Sequence, residues 1–227
     1  MSVTTSYYVS AEGSGYCESA VGARKPVTVT VNGSLTPGSI GSAQNICYNA
    51  TPAGLAPITL PSGGSGSYTY RWQSSTDNSS WTNIDGATSD TYAPGALTSN
   101  TYYRRAVIDA SCGTVYSNSV LITVYPLVTV NAISDQEGCV NTSIPGVTFA
   151  SPTSGATFKW TNSNPAIGLP ATGTGNQPQF TALREGAATI TVTPVYNDCD
   201  GTPRTYTITV HPCVIPVNPH LRSRSIP

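Results

Sequence analysis

Short stretches in which apolar and polar residues alternate, each ended by a turn signal, dominate this chain. In SYTYRWQSS, Tyr68, Tyr70 and Trp72 fall on one face and Arg71 and Gln73 on the other, the period of two that a β-strand imposes. ATFKWTNS repeats this with Phe158 and Trp160 facing away from Lys159. TSYYVSA, KPVTVTVN, SIGSAQNICYN, APITL, SWTNID, DTYAP, TYYRRAVID and SNSVLITVY are the other strand candidates of the first part. VTVNAI, VTFAS, QFTA, AATITVTPV and RTYTITVHP are those of the second. Pro52 with Gly54, Pro61 to Gly66, Asp77-Asn78, Asp85-Gly86 and Pro94-Gly95 mark turns between them.

One larger pattern recurs. From Tyr102 to Pro126 the chain reads strand, turn with Cys112, strand, stop. A similar arrangement surrounds Cys17 and Cys199, with ten residues from Tyr7 to Cys17 and ten from Tyr102 to Cys112. Trp72 precedes Cys112 by 40 residues and Trp160 precedes Cys199 by 39. Repetition of this kind predicts tandem modules. We divide the chain into 1–33, the closing hairpin of a truncated immunoglobulin-like module; 34–126, an immunoglobulin-like β-sandwich; 127–212, a second sandwich; and 213–227, a linker or the start of another module. The predicted fold class is all-β, with immunoglobulin-like sandwich modules in an extended array. The short connection through Pro126 leaves little slack between modules.

Composition narrows the choice. Only 9% of the 227 residues are charged and the net charge is -1. A disordered chain carries more charge, and a nucleic-acid partner calls for a basic face. Gly (21) and Pro (18) suit many short strands joined by turns. No apolar run approaches the ~18 residues of a membrane span. Met1 leads straight into the polar SVTTS without a signal peptide, so we expect a segment of a longer polypeptide.

Six cysteines in such a chain point to an oxidising compartment. They form no CxxC pair, which speaks against zinc. Cys47 precedes and Cys112 follows the Trp72 strand; Cys139 and Cys199 flank the Trp160 strand in the same way. The expected bonds are Cys47–Cys112 and Cys139–Cys199, each contributing roughly 4 kcal/mol by loop closure. Cys17 and Cys213 would then pair with neighbouring modules; a free buried Cys17 is the alternative.

Little catalytic chemistry is visible. His211 ends a strand and His220 lies in the tail, so nucleophilic catalysis is not expected and neither is a cofactor. The acids sit mostly in turns, with no carboxylate pair for glycoside hydrolysis. A Cys139–Cys199 bond would bring Asp135 and Glu137 near Asp198 and Asp200, a set of oxygen ligands suited to Ca²⁺; their other reading is as turn formers. Tyr70, Trp72, Phe158 and Trp160 are core candidates. Trp81, Tyr92 and Tyr103 are candidates for exposed aromatics, Tyr103 sharing a face with Arg105 opposite Tyr102, Arg104 and Ala106. Asn78 and Asn141 begin N-glycosylation triplets.

The stretch SYTYRWQSSTDNSSWTNIDGATSDTYAPGALTSNTYYRRAVIDASCGTVYSNSVLITV resembles the repeat units of very large Bacteroidota surface proteins, the SprB-like gliding-motility adhesins. WTNSNPAIGLPATGTGNQPQFTA resembles the PKD-like repeats of the same proteins, which makes 127–212 a PKD-like module. SYYVSAEGSGYCES resembles their small immunoglobulin-like repeat. The resemblance implies export by the type IX secretion system, display as an outer-membrane-attached filament, and adhesion during gliding. The sorting domain of such proteins is not recognisable here. The implied partners are neighbouring modules, surface polysaccharide or a solid substratum, and the gliding and secretion machinery, with no membrane span. The alternatives are a carbohydrate-binding module, contacting sugar through Tyr103 or Trp81, and an accessory region of a secreted hydrolase.

Overall fold

The computed structural model describes residues 3–9 and 25–213. Cys17, His220 and the proline-rich tail after Cys213 lie outside the described residues. The chain divides into two compact units, Met1–Val124 and Tyr125–Pro227. Apart from one 3-10 turn at Pro165–Ile167, the regular structure of the described residues is all strand.

Strands β1 (Val3–Val9) and β2 (Lys25–Val31) form an antiparallel pair with Tyr7 opposite Val27. The β-branched run VTVTV suits an extended ribbon. The register puts Tyr7, Val9, Val27 and Val29 on one face, where all four are exposed.

The rest of the first unit is a sandwich of β3 (Ser39–Ile40), β4 (Gln44–Ile46), β5 (Pro57–Thr59), β6 (Thr69–Ser75), β7 (Thr82–Asn83), β8 (Thr101–Asp109), β9 (Gly113–Tyr116) and β10 (Val120–Val124). The main sheet runs β4-β10-β8-β6-β7, with β9 pairing the far half of β8. The second layer is β3 with β5, extended by bridges Leu55–Tyr92 and Ala50–Leu97. Alternation in the sequence sets the inward face. Trp72, Tyr103, Val120 and Ile122 from the sheet meet Ile40 and Leu55 from the other layer, all buried. Tyr92 links Trp72 and Tyr103, with ring centroids 5.6 and 5.7 Å away.

The second unit repeats the plan with β11 (Gln136–Cys139), β12 (Ser143–Ile144), β13 (Thr157–Asn162), β14 (Thr172–Thr174), β15 (Phe180–Thr181), β16 (Gly186–Tyr196), β17 (Cys199–Asp200) and β18 (Arg204–His211). Its sheet runs β11-β18-β16-β13-β14, with β17 pairing the end of β16, and β12–β15 as the second layer. In both units the opening strand of the main sheet lies parallel to the last one, Gln44 opposite Ile122 and Gln136 opposite Ile208. Each opening strand ends in the same turn. Asn49 and Asn141, two residues past Cys47 and Cys139, take φ of 62° and 64°. Their N–H groups donate across to Leu97 O and Ala182 O. Asn tolerates this left-handed conformation better than most residues.

The cores differ in depth. In the second unit Trp160, Ile190, Val192, Tyr206, Ile208 and Val210 pack with Ile144, Phe149, Phe180 and Ala182. The 3-10 turn delivers Ile167 and Leu169, both essentially fully buried. Each such side chain contributes about 1.5–3 kcal/mol. The first unit's apolar cluster is smaller; Arg105 and Asp109 are buried in this unit, as Asn162 and Gln177 are in the second.

Both expected disulfides are overturned. Cys112 is a free, exposed thiol, and Cys139 bonds Cys213, 74 residues on, with Cα atoms 5.3 Å apart. Cys47 and Cys199 are each disulfide-bonded. Strand direction is the reason. Ile46 lies beside Val124, at the Thr101 end of β8, whereas Cys112 follows the Asp109 end. A nine-residue strand separates these ends by roughly 30 Å. Likewise Cys139 lies beside His211 at the Gly186 end of β16, and Cys199 pairs Tyr196 at the other end. Cys213 follows His211 by two residues and meets Cys139, so it is not left for a neighbouring module.

Several predicted strands are also corrected. DTYAP, VTVNAI and VTFAS contribute only isolated bridges, at Tyr92, Thr129 and Val147. The closing strands are interrupted. Between β9 and β10, Ser117 N–H donates to Arg105 O and its hydroxyl accepts the Arg105 N–H. Between β17 and β18, Gly201 N–H donates to Pro194 O.

Candidate functional site

Core and surface residues are sorted by strand parity. Trp72 and Trp160 are buried, at 0% and 3% exposure. Phe158 is half-buried, edge-on to Phe149 at 5.8 Å. Tyr70 is half-buried beneath Arg105, whose Cζ stands 4.8 Å from its ring centre.

Tyr103 and Arg105 are not exposed. Trp72 lies directly opposite Arg105, and opposite residues share a face, so an inward Trp72 carries Arg105 and Tyr103 inward. Arg105 Nη1 donates to Asp90 O at 2.9 Å and Nη2 to Pro37 O at 3.3 Å. Its Nε is buried without a partner. Burial pushes the guanidinium pKa down, against the opposing pull of Tyr70 and Asp90. Burial, with Tyr92 adding, pushes the Tyr103 phenol up to about 12. A sugar contact through Tyr103 is therefore excluded by its burial.

The same parity turns Arg104 outward, where the first unit's most organised surface lies. Its guanidinium stands between two rings, with Cζ 4.2 Å from the centre of Trp81 and 3.9 Å from that of Tyr116. Arg104 Nε donates to Gln73 Oε1 at 2.7 Å, and Gln73 Nε2 donates to Asn83 Oδ1 at 2.9 Å. Trp81 precedes β7, Gln73 is on β6 and Tyr116 ends β9, so the register of the sheet assembles the group. Each cation–π contact contributes about 0.5–1 kcal/mol at such a surface. Arg71 shares this outer face, opposite Ala106, which in turn lies opposite Tyr116. The sequence showed that Arg104 faces away from Tyr103; it did not show that Trp81 and Tyr116 meet it.

The acidic residues do not converge. Asp135 accepts the Thr207 N–H at 2.6 Å, Glu137 lies 3.7 Å from His211, and Asp200 pairs with Lys159 at 2.6 Å. Asp198 takes a turn conformation with φ of 62°. Thr207 lies beside Thr189 and Asp200 beside Val195, six residues apart on β16, roughly 20 Å. Among the described residues no three His, Cys, Asp or Glu side chains are placed to hold a metal. Two other carboxylates serve turns. Asp109 accepts Ser65 Oγ and N–H, both at 2.7 Å, plus the N–H groups of Ser111 and Cys112, and these bonds hold its pKa at about 2. Asp77 accepts Ser80 N–H, Ser79 N–H and Ser75 Oγ and is held well below the carboxylate range. Asn78 and Asn141 are exposed, both in left-handed turns.

In the second unit an open cavity of about 370 Å³ is lined by Lys159, Trp160, Gly173 and four threonines. Trp160 Nε1 is buried without a partner. Gly173 lies opposite Trp160, and a Cβ there would stand 2.2 Å from Trp160 Cζ2. Among the described residues no helix is long and apolar enough to cross a membrane.

A family model described as a domain of unknown function (DUF8696) matches residues 36–126. No curated protein matches the chain. Among solved structures, the chain is similar to the fibronectin(III)-like modules of Clostridium thermocellum CbhA, at 12% identity and TM-score 0.33, over 78% of this chain and 93% of that one. It is similar to the extracellular cadherin domains 3–6 of protocadherin gamma B2, at 14% identity and TM-score 0.40, over 94% of this chain and 60% of that one. It is also similar to domains FN1–FN3 of chicken CNTN1, at 14% identity and TM-score 0.32, over 78% and 66%. The chain thus spans less than two thirds of the last two. The β-sandwich assignment rests on the sheets and cores described above.

Proposed function

We propose that this chain is a structural repeat segment of a secreted bacterial cell-surface adhesin, with no catalytic activity of its own. The observation that carries the reading is the duplicated plan. Two sandwiches of different side chains share one strand order, an opening strand parallel to the last, and a buried tryptophan opposite the longest strand. Tandem repetition of one architecture suits spacing better than chemistry. The Cys139–Cys213 bond is in keeping with an oxidising, extracellular compartment. The similar structures named above include extracellular and fibronectin-like modules.

Resemblance to SprB-like repeats extends this reading to a filament on the outer membrane of a Bacteroidota cell, exported by the type IX system and used in gliding. Its partners would be neighbouring modules, the secretion and gliding machinery, and polysaccharide or a solid surface. Antibody fragments against the purified chain, added to intact cells, test the adhesin role. Surface labelling with reduced attachment to glass is expected. Labelling without any effect on attachment would overturn adhesion, and absence of labelling would overturn display.

A further inference from the structure

We infer that the outer face of the first unit binds an acidic polysaccharide, with Arg104 as the fork that takes a uronic-acid carboxylate. This rests on the adhesin reading and names the ligand class for it. The guanidinium carbon stands within about 4 Å of the ring centres of both Trp81 and Tyr116, and its Nε is tied to Gln73. Its two Nη groups have no partner among the described residues and are not enclosed. A planar fork with a fixed orientation matches a carboxylate bidentately. The ordering that such a bond normally requires has been met by the stack in advance.

The surroundings suit an anionic sugar chain rather than a free anion. Neither Arg104 nor Arg71 has an ion-pair partner within the chain among the described residues. Arg71 is exposed one strand away, with only Ala106 between it and Tyr116. Two cations without an ion-pair partner therefore share a face with Tyr116, a residue 44% exposed. A pyranose ring stacks on such an aromatic face while its carboxylate reaches the arginines. Asp77 is turned to Ser75, Ser79 and Ser80, and Asp109 to Ser65, Ser111 and Cys112, so neither carboxylate pairs with Arg71 or Arg104.

Affinity electrophoresis of the full chain through gels containing polygalacturonate, carboxyl-reduced polygalacturonate, dextran or dextran sulfate tests this. Retardation by polygalacturonate alone is expected. Arg71→Ala, which removes no internal contact, should weaken it about tenfold. Arg104→Lys should do the same while the charge is kept. Equal retardation by dextran sulfate, or by the carboxyl-reduced polymer, would overturn the assignment. So would unchanged retardation of both variants. If Arg104→Lys lowers the melting temperature, Arg71→Ala alone decides. The antibody experiment on intact cells separates a failed ligand assignment from a failed adhesin reading, since labelling together with reduced attachment persists only in the first case.

Discussion

The indole N–H of Trp72 donates to the carbonyl of Ser89 at 3.0 Å, whereas the indole N–H of its counterpart Trp160 has no partner. Both rings fill the same place in their sandwiches. Replacing each by Phe removes similar volume, but Trp72→Phe also removes this hydrogen bond. We expect Trp72→Phe to cost about 1 kcal/mol more than Trp160→Phe. Amide hydrogen exchange, read separately for each unit, checks the difference.

The Cys139–Cys213 bond joins the first and last strands of the second unit's sheet. Closing a 74-residue loop restricts the unfolded chain and contributes about 4 kcal/mol in the loop-entropy model. The double change of Cys139 and Cys213 to Ser should therefore lower the second unit's stability markedly in urea. Cys112→Ser should leave both units unchanged, because that thiol is exposed and unbonded.

Acid should loosen the first unit in a defined window. The Asp109 carboxyl has a folded pKa of about 2 against an ordinary 3.8. A depressed pKa means stability that is fully present above pH ~4 and lost as pH falls toward 2. Asp77 is shifted in the same direction and adds to the effect. Melting curves between pH 5 and pH 2 should show the loss. Asp109→Asn should melt lower at pH 7 and show a shallower dependence, because an amide NH₂ cannot accept the bonds that the carboxylate receives.

Gly173 is required by contact with Trp160 across the β13–β14 pair. The methyl group of Gly173→Ala would lie 2.2 and 2.4 Å from Trp160 Cζ2 and Cε2, so the indole must shift. A cost of about 1–3 kcal/mol is expected. Gly95→Ala, where nothing lies within 4 Å, should stay within about 0.5 kcal/mol. Urea midpoints of the two variants make the comparison.

Local alternation made Trp72, Trp160 and the long strands β8, β16 and β18 legible from sequence, because period two fixes the face within a strand. It did not fix which end of a strand each cysteine reaches. That depends on the parallel pairing of β4 with β10 and β11 with β18, contacts between residues some 70 to 80 positions apart. The same gap hid the Arg104 stack, whose rings come from either side of β8. Arg105 and Tyr103 were misplaced for a related reason. Alternation gave them a common face, but only the Trp72–Arg105 register shows that this face is the core. The short strands β11, β14 and β17 carry Gly, Thr and acidic residues with no apolar pattern and left no signal.

The most direct test joins compartment and fold. Brief protease treatment of intact cells of the source organism, followed by mass spectrometry of the released peptides without reduction, asks whether this chain is outside the cell and oxidised. Peptides linked through Cys139 and Cys213 should appear in the medium before any lysis, with Cys112 among them as a free thiol. Release only after lysis, with Cys139 and Cys213 both as free thiols, would contradict a surface-displayed, covalently closed repeat.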